Sequence, residues 1–350
     1  MSCLGGFRCA NSSHLDTNAG RAVSWKRCCS PSWREKVLNT VLERSPTRFV
    51  RRAGPAFTCR AQLSDPDYEV ETKRDYWLTG SVQEDVSDFA RSIENQLFEA
   101  IGNDLANGSV DPRMEFIDSM NPFGQIDDPS SSVDQLNGTD SRLMRMIIEN
   151  RFYESTKFRK IDIELARRQD KLQVLHCIMV PRIKYDLPIF ACDMVGAGRV
   201  NFAAVDLTPS SLSAKLPEAL DLRITERMNS DPSKSWLEPP PKSPESKQKR
   251  LPEWFAEMSS DRMRMMAPKD KNDIEKFSDY ALMLLEVYLE FVCEAEEAPE
   301  DRLGDIKAAH KRFFHNNLQN IKTRAALKSC FGEEFTEYYM SEVMFDYQEC

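Results

Sequence analysis

The stretch that most constrains the fold is residues 145–209, which contains five short apolar-rich runs. They read RMIIENRFYES, FRKIDIELARR, KLQVLHCIMVP, LPIFACDMVGAG and RVNFAAVDLTP. Short apolar runs bounded by Pro, Gly and basic residues predict consecutive antiparallel strands. In 171–181 both alternating sets of side chains are largely apolar, so both faces of the sheet need a cover. The pattern therefore predicts an α/β fold, a three-layer α/β/α sandwich with a central antiparallel sheet flanked by helices.

Helical spacing on both sides of this stretch supplies the two covers. The predicted helices are 81–101, 212–228, 273–297, 302–331 and 333–347. Ser81 and Glu84 have the spacing of a capping box at the start of the first helix. Gly332 is expected to end the fourth helix at its C′ position. The Pro, Gly and Ser content of 118–140 predicts a surface loop.

Charge divides the chain into two unequal parts. Residues 1–60 hold eleven basic and three acidic side chains, and 61–350 hold 36 basic and 53 acidic ones. An Arg- and Ser-rich, acid-poor leader is typical of an organelle transit peptide, although helical spacing in 33–41 leaves open that a folded domain begins there. We expect a single domain over 61–350, with a flexible Pro-, Ser- and Lys-rich insertion at 229–250. The net charge of −17 in 61–350 disfavours a nucleic-acid partner.

Motifs for resident cofactors and for membrane insertion are missing from the sequence. The ten cysteines show no CxxC spacing, and there is no GxGxxG, GxxxxGK[ST], GxSxG or HExxH. The cysteines therefore suggest neither a zinc site nor an iron–sulfur cluster. No run of 18 apolar residues is present, so no membrane span is expected.

Three polar residues lie inside the predicted strands, where Val or Ile would be usual. They are Glu164, His176 and Asp193. An ionised carboxylate buried inside a sheet is costly unless it has a partner, a raised pKa or access to solvent. Three titratable groups on neighbouring strands indicate either a satisfied polar network in the core or a site of proton transfer.

Several blocks of the sequence carry a family resemblance. IIENRFYESTKFRKIDIELARR, LQVLHCIMVP, YDLPIFACDMV, FAAVDLTP and KTRAALKSCFGEEFTEYYMSEVMFD resemble the ferredoxin-dependent bilin reductases, in the same order over most of 140–350. The resemblance implies an α/β/α sandwich with a linear tetrapyrrole between the sheet and the C-terminal helices. It also implies no bound metal or flavin, because the bilin takes single electrons from reduced ferredoxin through bilin radicals. The protein then has to supply protons at chosen atoms.

The resemblance assigns roles residue by residue. Asp193 matches the aspartate that shares a proton with the bilin lactam oxygens, and His176 matches the histidine hydrogen-bonded in the same network. Glu164 matches the glutamate assigned to protonation of the D-ring vinyl group. Lys322 matches a lysine that pairs with a substrate propionate. Lys249, or Arg250 after a slip of one residue, aligns with a propionate-binding arginine.

The resemblance also implies a product, a partner and a location. Members that make phycoerythrobilin-type products resemble each other in having Asn at the position of His176, so His176 with Glu164 favours reduction of biliverdin IXα to phycocyanobilin. Asp162 stands where the most similar members carry a histidine, and Ile321 where they carry an acid. These departures keep open another phytobilin product (phycoerythrobilin or phytochromobilin), and a non-catalytic bilin-binding protein is the third alternative. A monomer in the chloroplast stroma is expected.

Ferredoxin is acidic, so its docking on this acidic chain requires a local basic face. The candidate residues are Arg182, Lys184, Lys307, Lys311, Arg312 and Arg324.

Overall fold

The computed structural model of the chain describes residues 81–136, 144–231, 236 and 253–347. The predicted transit peptide at 1–60 lies outside the described residues. So does most of the predicted insertion at 229–250, together with Lys249 and Arg250.

An eight-stranded antiparallel sheet forms the centre of the described fold. The strands are β1 (Ala106–Asn107), β2 (Phe116–Asp118), β3 (Met146–Glu154), β4 (Phe158–Arg168), β5 (Leu172–Pro181), β6 (Ile189–Ala197), β7 (Phe202–Thr208) and β8 (Arg264–Met266). Their order is β1-β3-β4-β5-β6-β7-β8, with β2 also paired to β3. The five apolar runs are therefore five successive neighbours, β3 to β7, as the sequence predicts.

Helices cover both faces of this sheet. They are α1 (Glu84–Ile101), α2 (Pro129–Gln135), α3 (Glu218–Ser230), α4 (Glu253–Ala256), α5 (Lys271–Glu294), α6 (Leu303–Asn317) and α7 (Ile321–Tyr338), and α7 continues into a π-helical turn over Tyr339–Met344. We call Tyr339–Met344 the C-terminal turn. None of the helices among the described residues has the length and apolarity needed to span a membrane.

Each face of the sheet has its own apolar core. The face that carries Ile163, Cys177 and Cys192 packs against α1, α3 and α5. The opposite face, with Ile148 and Ile178, packs against α6, α7 and the C-terminal turn. The two cores confirm the α/β/α sandwich.

The start of α1 differs from the predicted capping box. The helix begins at Glu84 with Gln83 at the N-cap, and no side chain caps it. The backbone N–H of Gln83 instead donates to Gln173 Oε1 of β5 at 2.7 Å, and the carbonyl of Ser81 accepts from Arg167 Nε at 2.8 Å. Hydrogen bonds to the sheet therefore replace the local cap, and the prediction for Ser81 was wrong.

Two further elements depart from the sequence pattern. Within the predicted loop 118–140, Asp128 accepts from Ser130 N and Pro129 occupies the first turn, so a short helix, α2, forms there. The single predicted helix 302–331 is divided, because Asn320 accepts from Lys322 N and Thr323 N and starts α7 anew.

Gly332 ends the first helical segment of α7, as predicted, and a second segment follows it. It adopts φ 78° and ψ 178° inside α7, and the helix resumes beyond it to Tyr338.

Candidate functional site

Four polar side chains stand side by side across four adjacent strands. The register pairs Asn150 of β3 with Glu164 of β4, Glu164 with His176 of β5, and His176 with Asp193 of β6. Side chains at paired positions point to the same face of a sheet. These four lie on the face covered by α6, α7 and the C-terminal turn, so the sheet brings together the three residues that the sequence singled out.

His176 and Asp193 form an ion pair at the open end of this row. The distance from His176 Nδ1 to Asp193 Oδ1 is 2.7 Å, and the side chain of Asp193 is 37% exposed whereas that of His176 is 9% exposed. Burial lowers the pKa of His176, but the charge of Asp193 and its hydrogen bond outweigh burial and raise that pKa to about 9. His176 therefore carries a proton at neutral pH, next to a carboxylate that is open to solvent.

Glu164 lies deeper and contacts a tyrosine from the opposite layer. Tyr339 Oη lies 2.8 Å from Glu164 Oε2 and 3.0 Å from Asn150 Oδ1. Burial raises the pKa of Glu164 above its ordinary value, against the opposing effects of His176 and Tyr339. Glu164 is thus an acid whose environment favours the protonated form.

Asp162 lies on the same strand face, one pleat before Glu164. It is fully buried, and neither of its carboxyl oxygens has a hydrogen-bond partner within the described parts of the chain. Burial raises the pKa of Asp162 to about 7, although the nearby Lys160 ammonium acts in the opposite direction. His176 Nε2 is likewise buried and without a partner there. These neighbouring groups titrate as a coupled set rather than one by one.

Lys160 fastens the end of the chain to the sheet. Its buried ammonium donates to the carbonyls of Val343 and Met344 and pairs with Asp346 at 3.0 Å. Phe345 then lies edge-on to His176, with ring centroids 6.0 Å apart. The C-terminal turn and the residues after it therefore form part of the site's cover.

A cavity of about 600 Å³ opens beside Lys160. Basic side chains in its wall include Arg159, Arg182, Lys184 and Lys307. His310 also lines it, and burial, assisted by the charge of Arg159, lowers the pKa of His310 to about 4. The cavity is therefore bordered by several cations, one neutral imidazole and the acidic residues Asp111, Glu154, Glu342 and Asp346.

The predicted substrate-binding lysine occupies a different position from the buried acids. Lys322 is exposed in the first turn of α7, and its backbone N–H donates to Asn320. No contact between its side chain and Glu164, His176 or Asp193 occurs in the described residues. The departure at Ile321 lies on the surface as well, since Ile321 is 77% exposed.

The candidate basic face is only partly available for a partner. Arg312 donates to the carbonyls of Ser211 and Leu212, and Arg324 pairs with Glu337. Both guanidiniums therefore brace the fold. Arg182, Lys184 and Lys307 line the cavity, where Arg182 pairs with Glu154 at 3.6 Å and Lys184 pairs with Glu297 at 2.6 Å.

Sequence reasoning missed Asn150, Lys160 and Tyr339 as members of the site. Asn150 had a usable signal as a polar residue inside the apolar run of β3, and Lys160 had one because alternation on a strand places Lys160, Asp162 and Glu164 on one face. Tyr339 had none, since its position depends on how α7 continues into the C-terminal turn.

The arrangement provides proton donors of different strength on one surface. A protonated imidazole beside a solvent-accessible carboxylate adjoins two buried acids with raised pKa values. Such a set can deliver protons to different atoms of one bound molecule. No group of three or more His, Cys, Asp or Glu side chains that could hold a metal ion occurs within the described ranges.

Comparisons with known proteins identify a family and several relatives that the chain resembles. The family model described as ferredoxin-dependent bilin reductase matches residues 125–346. Phycocyanobilin:ferredoxin oxidoreductase of Trichodesmium erythraeum is 36% identical over 208 residues, which is 58% of this chain and 77% of the relative. The protein of the same name from Synechococcus elongatus is 30% identical over 204 residues, with the same coverages.

A solved structure shares the fold. It is phytochromobilin synthase from tomato in complex with biliverdin, with a TM-score of 0.52 and 14% identity over 74% of this chain and 83% of that one.

Proposed function

The chain belongs to the ferredoxin-dependent bilin reductase family and is an oxidoreductase; on that premise, we propose that it reduces biliverdin IXα to phycocyanobilin. The reaction takes four electrons, one at a time, from reduced ferredoxin and four protons, and it passes through bilin radicals. The observation that carries the proposal is the row formed by Glu164, His176 and Asp193 across adjacent strands. The electrons come from outside the chain, so the residues of the site have to supply protons.

Each member of the row has a distinct task in this proposal. Asp193, half-buried and paired with the His176 imidazolium, shares a proton with the lactam oxygens of the bilin. Glu164, buried and protonated, gives its proton to the D-ring vinyl group. The different environments of the two carboxyls support different roles, because burial and charge set which group holds a proton at neutral pH.

The choice of product rests on His176. Its imidazolium, held by Asp193 at 2.7 Å, adds a positive charge and a proton next to Glu164. An asparagine at this position supplies neither. We infer that the pair His176 and Glu164 supports reduction of the vinyl group, which distinguishes phycocyanobilin from the alternatives.

The remaining assignments complete the proposal. Lys322, with Lys249 or Arg250, pairs with the substrate propionates. Ferredoxin docks at the rim of the cavity that Arg182, Lys184 and Lys307 line. The enzyme acts as a monomer in the chloroplast stroma after removal of a transit peptide, which the Arg- and Ser-rich composition of residues 1–60 supports.

The test is anaerobic turnover of biliverdin IXα by the full chain with a reduced ferredoxin system, with products separated by chromatography. We expect phycocyanobilin as the end product. A phycoerythrobilin- or phytochromobilin-type product would overturn the product assignment within the family. Tight binding without reduction would assign the chain to the bilin-binding class.

A variant tests the assignment of Glu164 in the same assay. Glu164→Gln is expected to stop at a partly reduced bilin that keeps the D-ring vinyl group. The matched control is Asp206→Asn, because Asp206 is buried on the same sheet face but is engaged by Ser260 at 2.6 Å. Full reduction by Glu164→Gln would remove Glu164 from the proposed role.

A further inference from the structure

The hydroxyl of Tyr339 has more hydrogen-bond partners than it has hydrogens to give. It lies 2.8 Å from Glu164 Oε2 and 3.0 Å from Asn150 Oδ1. An ionised carboxylate and an amide oxygen are both acceptors, and a phenol carries a single hydrogen. If Glu164 were ionised, one of these two buried contacts would join two acceptors with no hydrogen between them.

The orientation of Asn150 decides where the phenol hydrogen goes. Asn150 Nδ2 donates to the carbonyl of Met114 at 2.7 Å, and this contact is buried. Turning the amide over would place Oδ1 against that carbonyl oxygen, which repels it. Oδ1 therefore faces Tyr339 as an acceptor, and the hydrogen of Tyr339 belongs to this bond.

The contact between Glu164 and Tyr339 then needs a hydrogen from Glu164. We propose that Asn150 engages the hydrogen of Tyr339 and so withholds it from the Glu164 carboxylate, and that Tyr339 is a positioning residue that accepts a hydrogen bond from the protonated carboxyl group of Glu164 before the reaction. The inference rests on the proposed function, because it concerns the proton that Glu164 delivers there.

The surroundings of Glu164 agree with a neutral carboxyl group. The charged and titratable groups that face it are Lys160 and Asp162 on its own strand, His176 on β5, Asp193 on β6 and Tyr339 on the C-terminal turn. Glu164 is 4% exposed and has no ion-pair partner among these groups within 4 Å. A buried carboxyl group in that position is more stable with its proton than without it.

The same geometry prepares Glu164 for loss of its proton. When the proton passes to a carbon of the vinyl group, whose electrons come from ferredoxin, Glu164 becomes a carboxylate. The Tyr339 O–H then turns from Asn150 Oδ1 to Glu164 Oε2, so the new charge gains a donor at the expense of the hydrogen bond to Asn150. Tyr339 keeps its own hydrogen throughout. The site thus supports both states of the acid with one rotating hydroxyl.

Infrared spectroscopy of the full chain without bilin tests the first half of the inference. Subtracting the spectrum of Glu164→Gln from that of the wild type is expected to show the C=O stretch of a protonated carboxyl group at pH 7. In Tyr339→Phe this band should move to higher frequency, because the hydrogen bond is lost while the ring still stacks on Phe335. The matched control is Tyr288→Phe, a buried phenol that donates to Pro188 on the other layer. Absence of the band in the wild type would overturn the proposal.

Two variants should move the titration of Glu164 in opposite directions. Asn150→Ala frees the Tyr339 hydrogen for the carboxylate, so Glu164 is expected to titrate lower by about one pH unit. Tyr339→Phe leaves the carboxylate without a donor, so Glu164 should titrate higher. A role of Tyr339 in packing alone predicts no opposite pair of shifts, and shifts in the same direction would refute the inference.

Turnover tests the second half of the inference, which is the role of Tyr339 in the reaction. Tyr339→Phe should slow reduction of the vinyl group at least tenfold at an unchanged KM for bilin, and a partly reduced bilin should accumulate. Unchanged turnover would overturn the role in the reaction even if the infrared result held. The infrared and titration experiments need no substrate, so a failure of the proposed function is recognised separately.

Discussion

His176 and Asp193 face each other on adjacent strands, and Nδ1 of the buried imidazole lies 2.7 Å from Oδ1 of a carboxylate that is 37% exposed. The pair joins the interior of the site to solvent. It also makes the stability of the fold depend on pH in the neutral range.

The first prediction concerns His176→Gln. Burial opposes the charged imidazole, but Asp193 raises its pKa from 6.5 to about 9 in the folded chain. Below 6.5 the folded and unfolded chains both hold this proton, and the pair contributes fully. Between 6.5 and 9 only the folded chain holds it, so the contribution falls as pH rises. We expect the free energy of unfolding of the wild type to fall by up to about 3 kcal/mol across this window. Solvent screening at Asp193 reduces the fall. The fall should be absent in His176→Gln.

Denaturant unfolding at a series of pH values measures this slope. The control is His315→Gln, because His315 is exposed on α6. Equal slopes in wild type and His176→Gln would contradict the assignment.

Asp162→Asn should stabilise the fold, whereas His176→Gln should destabilise it. Burial raises the pKa of Asp162 from 3.8 to about 7. Between these values the folded chain holds a proton that the unfolded chain has lost, so stability falls as pH rises and is constant above 7. Asp162→Asn removes this dependence and is expected to gain up to about 4 kcal/mol at pH 7.5, with little gain at pH 3.5. Asp127→Asn, at an exposed acid, should change neither value.

Lys160→Met tests the attachment of the chain's end. Removal of the ammonium takes this donor from the carbonyls of Val343 and Met344 and leaves Asp346 paired with Arg159, so we expect a loss of about 3 kcal/mol in the free energy of unfolding. Hydrogen exchange should quicken in residues 339–347.

The control for Lys160→Met is another lysine that donates to two carbonyls. Lys157 binds Val292 at 2.7 Å and Cys293 at 2.9 Å, at the end of α5. Lys157→Met should loosen that helix end and leave 339–347 protected. Faster exchange of 339–347 in both variants would indicate general destabilisation rather than loss of a specific attachment.

Two glycines in α6 and α7 should respond to alanine in opposite ways. Gly332 has φ 78°, a conformation that alanine adopts only with strain, and open space surrounds the added methyl group. Gly332→Ala is expected to cost about 1–3 kcal/mol through the backbone alone. Gly304 in α6 has the same open space and no positive φ, so Gly304→Ala should stabilise by about 0.5–1 kcal/mol. Thermal unfolding of both variants checks the difference in sign.

Lys307→Glu tests the proposed docking of ferredoxin. The charge reversal at the cavity rim should raise the ferredoxin concentration for half-maximal rate about three- to tenfold at low salt, and high salt should reduce the difference. The rate at saturating ferredoxin should hardly change. Lys276→Glu, an exposed site on α5 in the other helical layer, is the control. Equal effects of the two variants would point to net charge rather than a docking face.

The sheet was predictable from sequence because β3 to β7 are consecutive apolar runs, each joined to the next by a short connection. Period-two alternation also placed Glu164 and His176 inside the site, since a polar residue among Val, Ile and Leu is visible without knowledge of the fold. Helix boundaries were harder to predict from the sequence. The N-cap residue of α1, Gln83, donates to Gln173, 90 residues away, and the capping box expected at Ser81 does not form.

The partners of the acids were beyond sequence reasoning for a similar reason. Tyr339 reaches Glu164 across 175 positions, through a helix interrupted at Gly332 and a turn of π-helical geometry. Neither the interruption nor the turn changes the apolar periodicity of 333–347 enough to be recognised. The hydrogen bond between a tyrosine and a buried acid is a tertiary contact, and no local sequence pattern predicts it.

The bond from Lys160 to Val343 spans 183 positions, whereas successive strands of the meander pair over short distances. Contacts that close long loops form late, since their entropic cost is met only when the rest of the structure is in place. We therefore expect the sheet to assemble while the acids still face water, and the C-terminal turn to dock on it afterwards. A ligand that occupies the same face before that step would have the C-terminal turn fold around it.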